Sequence, residues 1–270
     1  MYKMIALDMD GTLLNNSKTI SKENIKAVNE AKKKGIHVVL ATGRSLKGVE
    51  NYLNDLNLID DKNFLVSFNG GMVQNTTSTR IIFKNYMKLK EDVCPLYELS
   101  KKLDLDLIAF TSNKCLTPKI TEYSKVDAKL NNTELEVFDF NANSDDPSII
   151  KLMFVGDKEK IDAAVEKMPE NFKKKYTIMR SAPIYLEFSN DKVNKGSGLK
   201  HLSEELGVKS EEIISIGDAG NDIHMVKYAG LGVAMGNAFP ELKKIANYTT
   251  KTNEENGVAH VINKFILKTL

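Results

Sequence analysis

The sequence predicts an α/β protein: a parallel-sheet core interrupted by a second, α+β domain. Three observations carry this. Short apolar runs alternate with helix-period segments over the first 70 residues, the rhythm of a parallel sheet with right-handed crossovers. From about residue 81 the pattern changes to strands mixed with helices. Near residue 194 the first rhythm resumes. The core is therefore assigned to 1–83 and 190–270, and the inserted domain to 84–189.

The elements follow in order. Residues 4–7 form a buried apolar strand that runs into Asp8-Met9-Asp10-Gly11-Thr12. Ser21 caps a helix to about residue 34, with Ile25, Val28 and Ala31 on one face and Gly35 as its stop. A second strand, 37–41, ends in Thr42-Gly43-Arg44, and a helix over 45–57 follows. A third strand, 64–68, ends in Asn69-Gly70-Gly71. In sheets of this kind the ligand site lies beyond the carboxyl ends of the strands, and all three strands end there in small or polar residues. A hairpin is expected at 72–74 and 80–83. In the inserted domain we expect a helix over 89–103 interrupted or begun late by Pro95, strands at 107–110 and 137–140, and a helix at 121–130. A polar loop at 141–147, a strand at 149–155, a helix at 158–168 and a hairpin of 176–180 with 184–188 complete it. The core then resumes. A helix begins at Asn194-Lys195, with Leu199, Leu202 and Leu206 aligned. A strand at 213–216 ends in Gly217-Asp218. A helix at 219–227, a strand at 231–234 and helices at 240–246 and 254–270 follow.

Composition excludes several classes. The 270 residues carry a net charge of +2, from 38 basic and 36 acidic side chains, which argues for neither a nucleic-acid nor a membrane partner. The lysine runs 32–34 and 173–175 read as solvated faces. Two cysteines, Cys94 and Cys115, define no disulfide framework. Asp8 and Asp10 interrupt the first apolar run, so no leader is expected, and no run approaches the roughly 18 apolar residues of a membrane span. A cytoplasmic setting is expected. Oligomeric state is not legible.

Four strand ends or helix starts carry reactive groups. In an extended segment residues two apart point to one face, so Asp8 and Asp10 are expected side by side just past the end of the first strand, and two carboxylates about 4 Å apart repel by roughly 4 kcal/mol at an effective dielectric near 20. A proton or a cation would relieve this. Thr42, Lys195 and Asp218/Asn221/Asp222 join them on the same predicted rim. Each has a purely structural alternative: Thr42 as a helix cap, Lys195 as a surface lysine, Asp218 and Asp222 as a cap and a first-turn acid. Together they supply four carboxylates, a hydroxyl and an ammonium. That inventory suits phosphoryl transfer with a hard divalent cation such as Mg²⁺ between acids and phosphate, and a carboxylate is a competent nucleophile.

Asp8-Met9-Asp10-Gly11-Thr12, Ala41-Thr42-Gly43-Arg44, Lys195 ahead of a helix, and Gly217-Asp218-Ala219-Gly220-Asn221-Asp222 resemble the four motifs of the haloacid dehalogenase superfamily. The chain is most similar to its Cof-type hydrolases. The resemblance spans the whole chain and implies a Rossmann-like core with a large α+β cap, Mg²⁺-dependent phosphatase activity and a small phosphorylated metabolite, such as a sugar phosphate, as substrate. It implies that Asp8 attacks phosphorus and binds Mg²⁺. Asp10 would exchange protons with the leaving alcohol and with water, its backbone carbonyl on the metal. Thr42 and Gly43 would hold phosphoryl oxygens, and Lys195 would neutralise nucleophile and phosphate. Asp218 would ligate the metal, Asp222 would orient a metal-bound water, and Asn221 would help position phosphate or Lys195. Arg44, Asn69 and Gly70 would reach substrate, and the cap would select the leaving group. The fourth motif departs from the family where His224 stands in place of an acid. A phosphotransferase or phosphomutase and a catalytically silent metabolite-binding regulator remain alternatives.

Overall fold

The computed structural model describes residues 1–141 and 146–269. Four positions of the expected polar loop, 142–145, and the last position of the expected terminal helix lie outside them. The chain divides into two compact units. One comprises Met1–Arg44, Val49–Phe83 and Asn194–Leu270, the other Ser45–Gly48 and Lys84–Val193.

The first unit begins with β1 (Met4–Leu7), α1 (Lys22–Lys33), β2 (His37–Ala41), α2 (Glu50–Asp55), β3 (Phe64–Ser67), β4 (Met72–Asn75) and β5 (Ile81–Lys84). Ser21 caps α1 by accepting the Asn24 N–H at 3.1 Å. The second unit contains α3 (Cys94–Lys102), β6 (Asp106–Phe110), β7 (Lys114–Thr117), α4 (Glu122–Leu130), β8 (Glu134–Val137), β9 (Lys151–Val155), α5 (Lys158–Glu166), α6 (Glu170–Lys175), β10 (Tyr176–Ala182) and β11 (Tyr185–Asn190). The first unit resumes with α7 (Lys195–Glu205), β12 (Ile213–Gly217), α8 (Ile223–Tyr228), β13 (Leu231–Ala234), α9 (Pro240–Ile245), β14 (Tyr248–Thr249) and α10 (Gly257–Val261).

The first unit is an eight-stranded sheet in the order β14-β13-β12-β1-β2-β3-β4-β5. From β14 to β3 every neighbouring pair is parallel, and β4 returns antiparallel to β3. Met4, Ile5, Ala6 and Leu7 have no exposed surface, as expected of a central strand covered on both faces. After β1 the chain leaves to build β2 on one side, and much later β12 pairs on the other. That divergence opens a crevice at the carboxyl end of β1.

The second unit is a six-stranded sheet in the order β10-β11-β9-β6-β7-β8. Alternate residues Leu107 and Ala109, Leu152 and Phe154, Leu186 and Phe188 turn to one face, where they join Leu96 of α3 and Ile161 and Ala164 of α5 in a single apolar core. Lys151 and Glu187 belong to the opposite parity of β9 and β11. They lie 3.2 Å apart and almost fully buried, with buried Asp127 of α4 close enough to feel both charges.

Several expectations are corrected. The helix expected over 45–57 is a 3₁₀ turn (Lys47–Val49) followed by α2 alone. The strand expected at 137–140 lies earlier, as β8. Its residues are mostly exposed, whereas Phe140 beyond it enters the apolar core, so the apolar signal and the strand are offset. Strand β7 and helix α6 were not anticipated. β7 offers two central apolar residues, and α6 buries none of its side chains, so neither shows a period. The expected 254–270 helix is broken at Asn256, which sits at φ 60°. Asparagine tolerates that left-handed conformation better than most residues.

Candidate active site

The site is built at the carboxyl ends of β1, β2, β3 and β12 and at the start of α7. Asn194 caps α7 reciprocally with Ser197: Ser197 N–H donates to Asn194 Oδ1 at 2.9 Å, and Asn194 N–H donates to Ser197 Oγ at 3.1 Å. This box fixes the first helical residue, Lys195, whose side chain is wholly buried. Its ammonium donates to Asp8 Oδ1 and, at 2.7 Å, to Asp222 Oδ1. Burial disfavours the charged lysine, but Asp222 and Asp8 outweigh it and raise its pKa above the ordinary value.

Asp222 is fully engaged. Its second oxygen accepts the N–H groups of Asp218 and Ala219 at 2.9 and 3.0 Å. Asp218 Oδ1 accepts the Thr12 hydroxyl at 2.8 Å. Asp8, Asp218 and Asp222 each bring a carboxylate oxygen to within 4.8 Å of the others. Burial pushes Asp8 well above the usual carboxylate range, with Asp222 and Asp218 adding to it and Lys195 opposing. Burial also raises Asp218, against the Thr12 hydrogen bond. Three acids thus crowd one site in which a single ammonium binds two of them. Among the described residues no hydrogen-bond donor reaches Asp8 Oδ2, so Asp8 and Asp218 keep oxygens for a cation while those of Asp222 are spent on Lys195 and the backbone. Gly11 makes the approach possible: its φ is +85°, and a Cβ there would stand 2.4 Å from Asp218 Oδ2. The donor set fits a hard divalent cation.

Asp10 does not join this cluster. Past Leu7 the backbone leaves the strand and turns, with a lone bridge between Asp10 and Leu14, so the alternation that would set Asp10 beside Asp8 ends. The acids that crowd Asp8 are Asp222 and Asp218. Asp10 instead accepts Lys18 Nζ at 2.8 Å on Oδ1, Arg44 Nη2 at 2.8 Å on Oδ1 and Arg44 Nε at 3.0 Å on Oδ2. Partial burial raises the Asp10 pKa, but Lys18 and Arg44 outweigh it and hold the carboxyl below the ordinary range. Arg44, expected to reach substrate, is thus paired with Asp10, and its guanidinium lies 5.6 Å from the centre of the Tyr52 ring.

Thr42 is buried, and its hydroxyl accepts the Arg44 N–H at 3.2 Å. It caps no helix, since α2 starts eight residues later. Asn69, at φ 53°, accepts the Asn221 amide on Oδ1 at 3.2 Å and stands beside Gly43. Gly70 has φ +97°, and a Cβ there would fall 2.1 Å from Asn194 O. Its place in the fold is therefore to let β3 approach the start of α7. Thr12 sits inside the first motif but had drawn no role. Lys18 and Tyr52 gave no signal, because their place depends on a turn and a 3₁₀ segment that pattern does not reveal.

A family model described as haloacid dehalogenase-like hydrolase matches residues 5–262. The chain is 37% identical over 269 residues to the Bacillus subtilis protein YxeH, covering 99% of each. It is 34% identical to the 5-amino-6-(5-phospho-D-ribitylamino)uracil phosphatase YcsE of Bacillus subtilis, over 98% of this chain and 96% of that one. Among solved structures, a haloacid dehalogenase-like hydrolase from Bacteroides thetaiotaomicron superposes with a TM-score of 0.87 at 34% identity, over 98% of this chain and 100% of the other. The subclass IIB sugar phosphatase BT4131 superposes with a TM-score of 0.80 at 25% identity, over 97% and 98%. No described helix is long and apolar enough to cross a membrane. With the motif residues gathered on one rim and this likeness running the length of the sequence, the chain belongs to the haloacid dehalogenase-like hydrolases and is one of their phosphatases.

Proposed function

We propose that this phosphatase is a Mg²⁺-dependent phosphomonoesterase that acts on small phosphorylated metabolites, sugar phosphates or related polyol phosphates, through an aspartyl-phosphate on Asp8. The observation that carries the reading is the surplus of acid at the end of β1: Asp8, Asp218 and Asp222 around the single buried ammonium of Lys195. A buried surplus of this kind is costly unless a proton or a cation offsets it. Asp8 and Asp218 would hold the ion, with the backbone carbonyl of Asp10. A bound Mg²⁺ would withdraw charge from phosphoryl oxygens and shield the approach of one anion to another.

The chain's own residues account for the rest. Asp8 attacks phosphorus through one carboxylate oxygen and holds the ion through the other, the bond from phosphorus to the ester oxygen breaks, and the alcohol leaves with a proton delivered through Asp10. Lys195, held by Asp222, offsets the charge on Asp8 and the phosphoryl group. Thr42 and the Gly43 amide bind phosphoryl oxygens, and Asn221, held by Asn69, orients them. Asp10 then accepts a proton from water as it attacks the aspartyl-phosphate. The named activities of YcsE and BT4131 support the substrate class.

The test is phosphate release from a panel of phosphorylated metabolites, with Mg²⁺ and with chelator. Release that is equal in the two conditions overturns the metal assignment. Turnover confined to diesters or anhydrides overturns the substrate class.

A further inference from the structure

A carboxylate offers about four acceptor positions, two on each oxygen. On Asp10, Lys18 Nζ and Arg44 Nη2 both bind Oδ1, at 2.8 Å each, and Arg44 Nε binds Oδ2 at 3.0 Å. Oδ1 is therefore saturated and Oδ2 retains one position. Three donors in two directions also fix the plane of the group.

The way Lys18 is mounted is out of proportion to an ordinary surface ion pair. Its side chain is 58% exposed, and such a pair contributes about 0–1 kcal/mol. Yet its turn is tied at both ends. Asn15 N–H donates to Thr19 O at 3.0 Å, and Lys18 N–H donates to Asn15 O at 2.9 Å. Asn15 Oδ1 accepts Thr19 N–H at 2.9 Å, while Asn15 Nδ2 donates to Thr19 Oγ1 at 2.8 Å. Lys18 itself is held at φ 59°, a conformation that costs a non-glycine residue about 1 kcal/mol or more. Three braces come from elsewhere: Asn253 Nδ2 to Leu14 O at 3.0 Å, Asn16 N–H to Glu254 Oε1 at 2.6 Å, and Tyr52 O–H to Lys18 O at 3.2 Å. Tyr52 also underlies Arg44, so one side chain steadies both cations of the clamp.

We infer that Lys18 is a positioning residue for the hydrolysis of the aspartyl-phosphate: it closes Oδ1 of Asp10 and so assigns Oδ2 as the atom that receives the proton of water. This rests on the function proposed above. In that step a water O–H bond breaks and its proton passes to Asp10 Oδ2. The water oxygen bonds to phosphorus, the bond from phosphorus to Asp8 breaks with its electron pair returning to the Asp8 carboxylate, and inorganic phosphate leaves. Without Lys18 the carboxylate keeps only Arg44, gains a vacant position on Oδ1 and loses its fixed plane.

The test uses 4-nitrophenyl phosphate with Mg²⁺, because 4-nitrophenolate leaves without a proton and only the water step then calls on Asp10. In Lys18→Met the phosphoenzyme, loaded with labelled substrate, chased and quenched in acid, decays about tenfold more slowly than in the parent. Its kcat/KM, which reports formation of the phosphoenzyme, stays within about twofold. Lys18→Arg restores most of the decay rate. An equal fall in decay rate and kcat/KM assigns Lys18 to substrate binding or folding and overturns the inference, as does an unchanged decay rate. Asp8→Asn separates the two levels: if it still forms and releases product, the parent reading fails, whereas an inert Asp8→Asn beside an unaltered Lys18→Met removes the inference alone.

Discussion

Each unit buries a small set of charges, and the two sets are balanced differently. In the first unit Asp8 and Asp222 bind one ammonium with Asp218 beside them, and the hydrogen bonds to Asp222 fix the arrangement. In the second, Lys151 faces Glu187 at 3.2 Å with Asp127 nearby. Burial there raises Asp127 to about 6, with Glu187 adding and Lys151 opposing, so a proton can remove the extra charge. The first set keeps its acids close together around oxygens that no donor among the described residues fills. The difference separates an acid surplus that a single proton on Asp127 can settle from one whose clustered, unfilled oxygens fit a cation.

The comparison can be broken at several points. The largest effect is expected for Asp8→Asn, which should lower turnover of 4-nitrophenyl phosphate with Mg²⁺ by at least about 10³-fold; retained turnover would remove Asp8 as nucleophile. Next come two lysine truncations followed by urea unfolding in chelator. Lys195→Met leaves acids buried without their cation and should cost about 3–5 kcal/mol, part of it recovered by Mg²⁺. Lys151→Met should cost less and ignore Mg²⁺, since Asp127 beside it can take a proton. Equal costs, or an equal response to Mg²⁺, would erase the distinction.

The pH dependence comes from Asp127. Its folded pKa, about 6, lies above the ordinary 3.8. The folded state therefore holds the proton more tightly, and the stabilisation is fully present below the unfolded value and lost as pH rises through about 6. The unfolding transition of the second unit should lose roughly 3 kcal/mol over that window, and Asp127→Asn should flatten the profile. A wild-type profile as flat as the variant's would refute this. The smallest effect is the stabilisation of the metal-free protein by Mg²⁺, about 2.7 kcal/mol at a hundredfold excess over Kd. Asp218→Asn should abolish the shift in melting temperature and Asp127→Asn should preserve it.

Much of the fold and site was legible because the signals are local. Buried parallel strands are unbroken apolar runs, and the residues after them are short and polar for chemical reasons, so Asp8, Thr42 and Asp218 became legible once read together on one rim. The start of a helix at Asn194-Lys195 marked Lys195. The losses have physical causes too. Exposed strand β8 and helix α6 bury too little to show a period. Alternation was carried three residues beyond the end of β1, which placed Asp10 beside Asp8 when the turn had already redirected it.

The sequence by itself determined the chemistry available at the rim, since identity and order along strand ends depend only on neighbours a few residues away. Tertiary structure decided which acids meet. Asp8 and Asp222 are 214 positions apart along the chain, yet one buried lysine joins them, because β12 pairs directly with β1. The pairing of β2 with β1 likewise brings Arg44 to Asp10, while the turn after β1 brings Lys18 there, and no hydrophobic period encodes either distance between side chains.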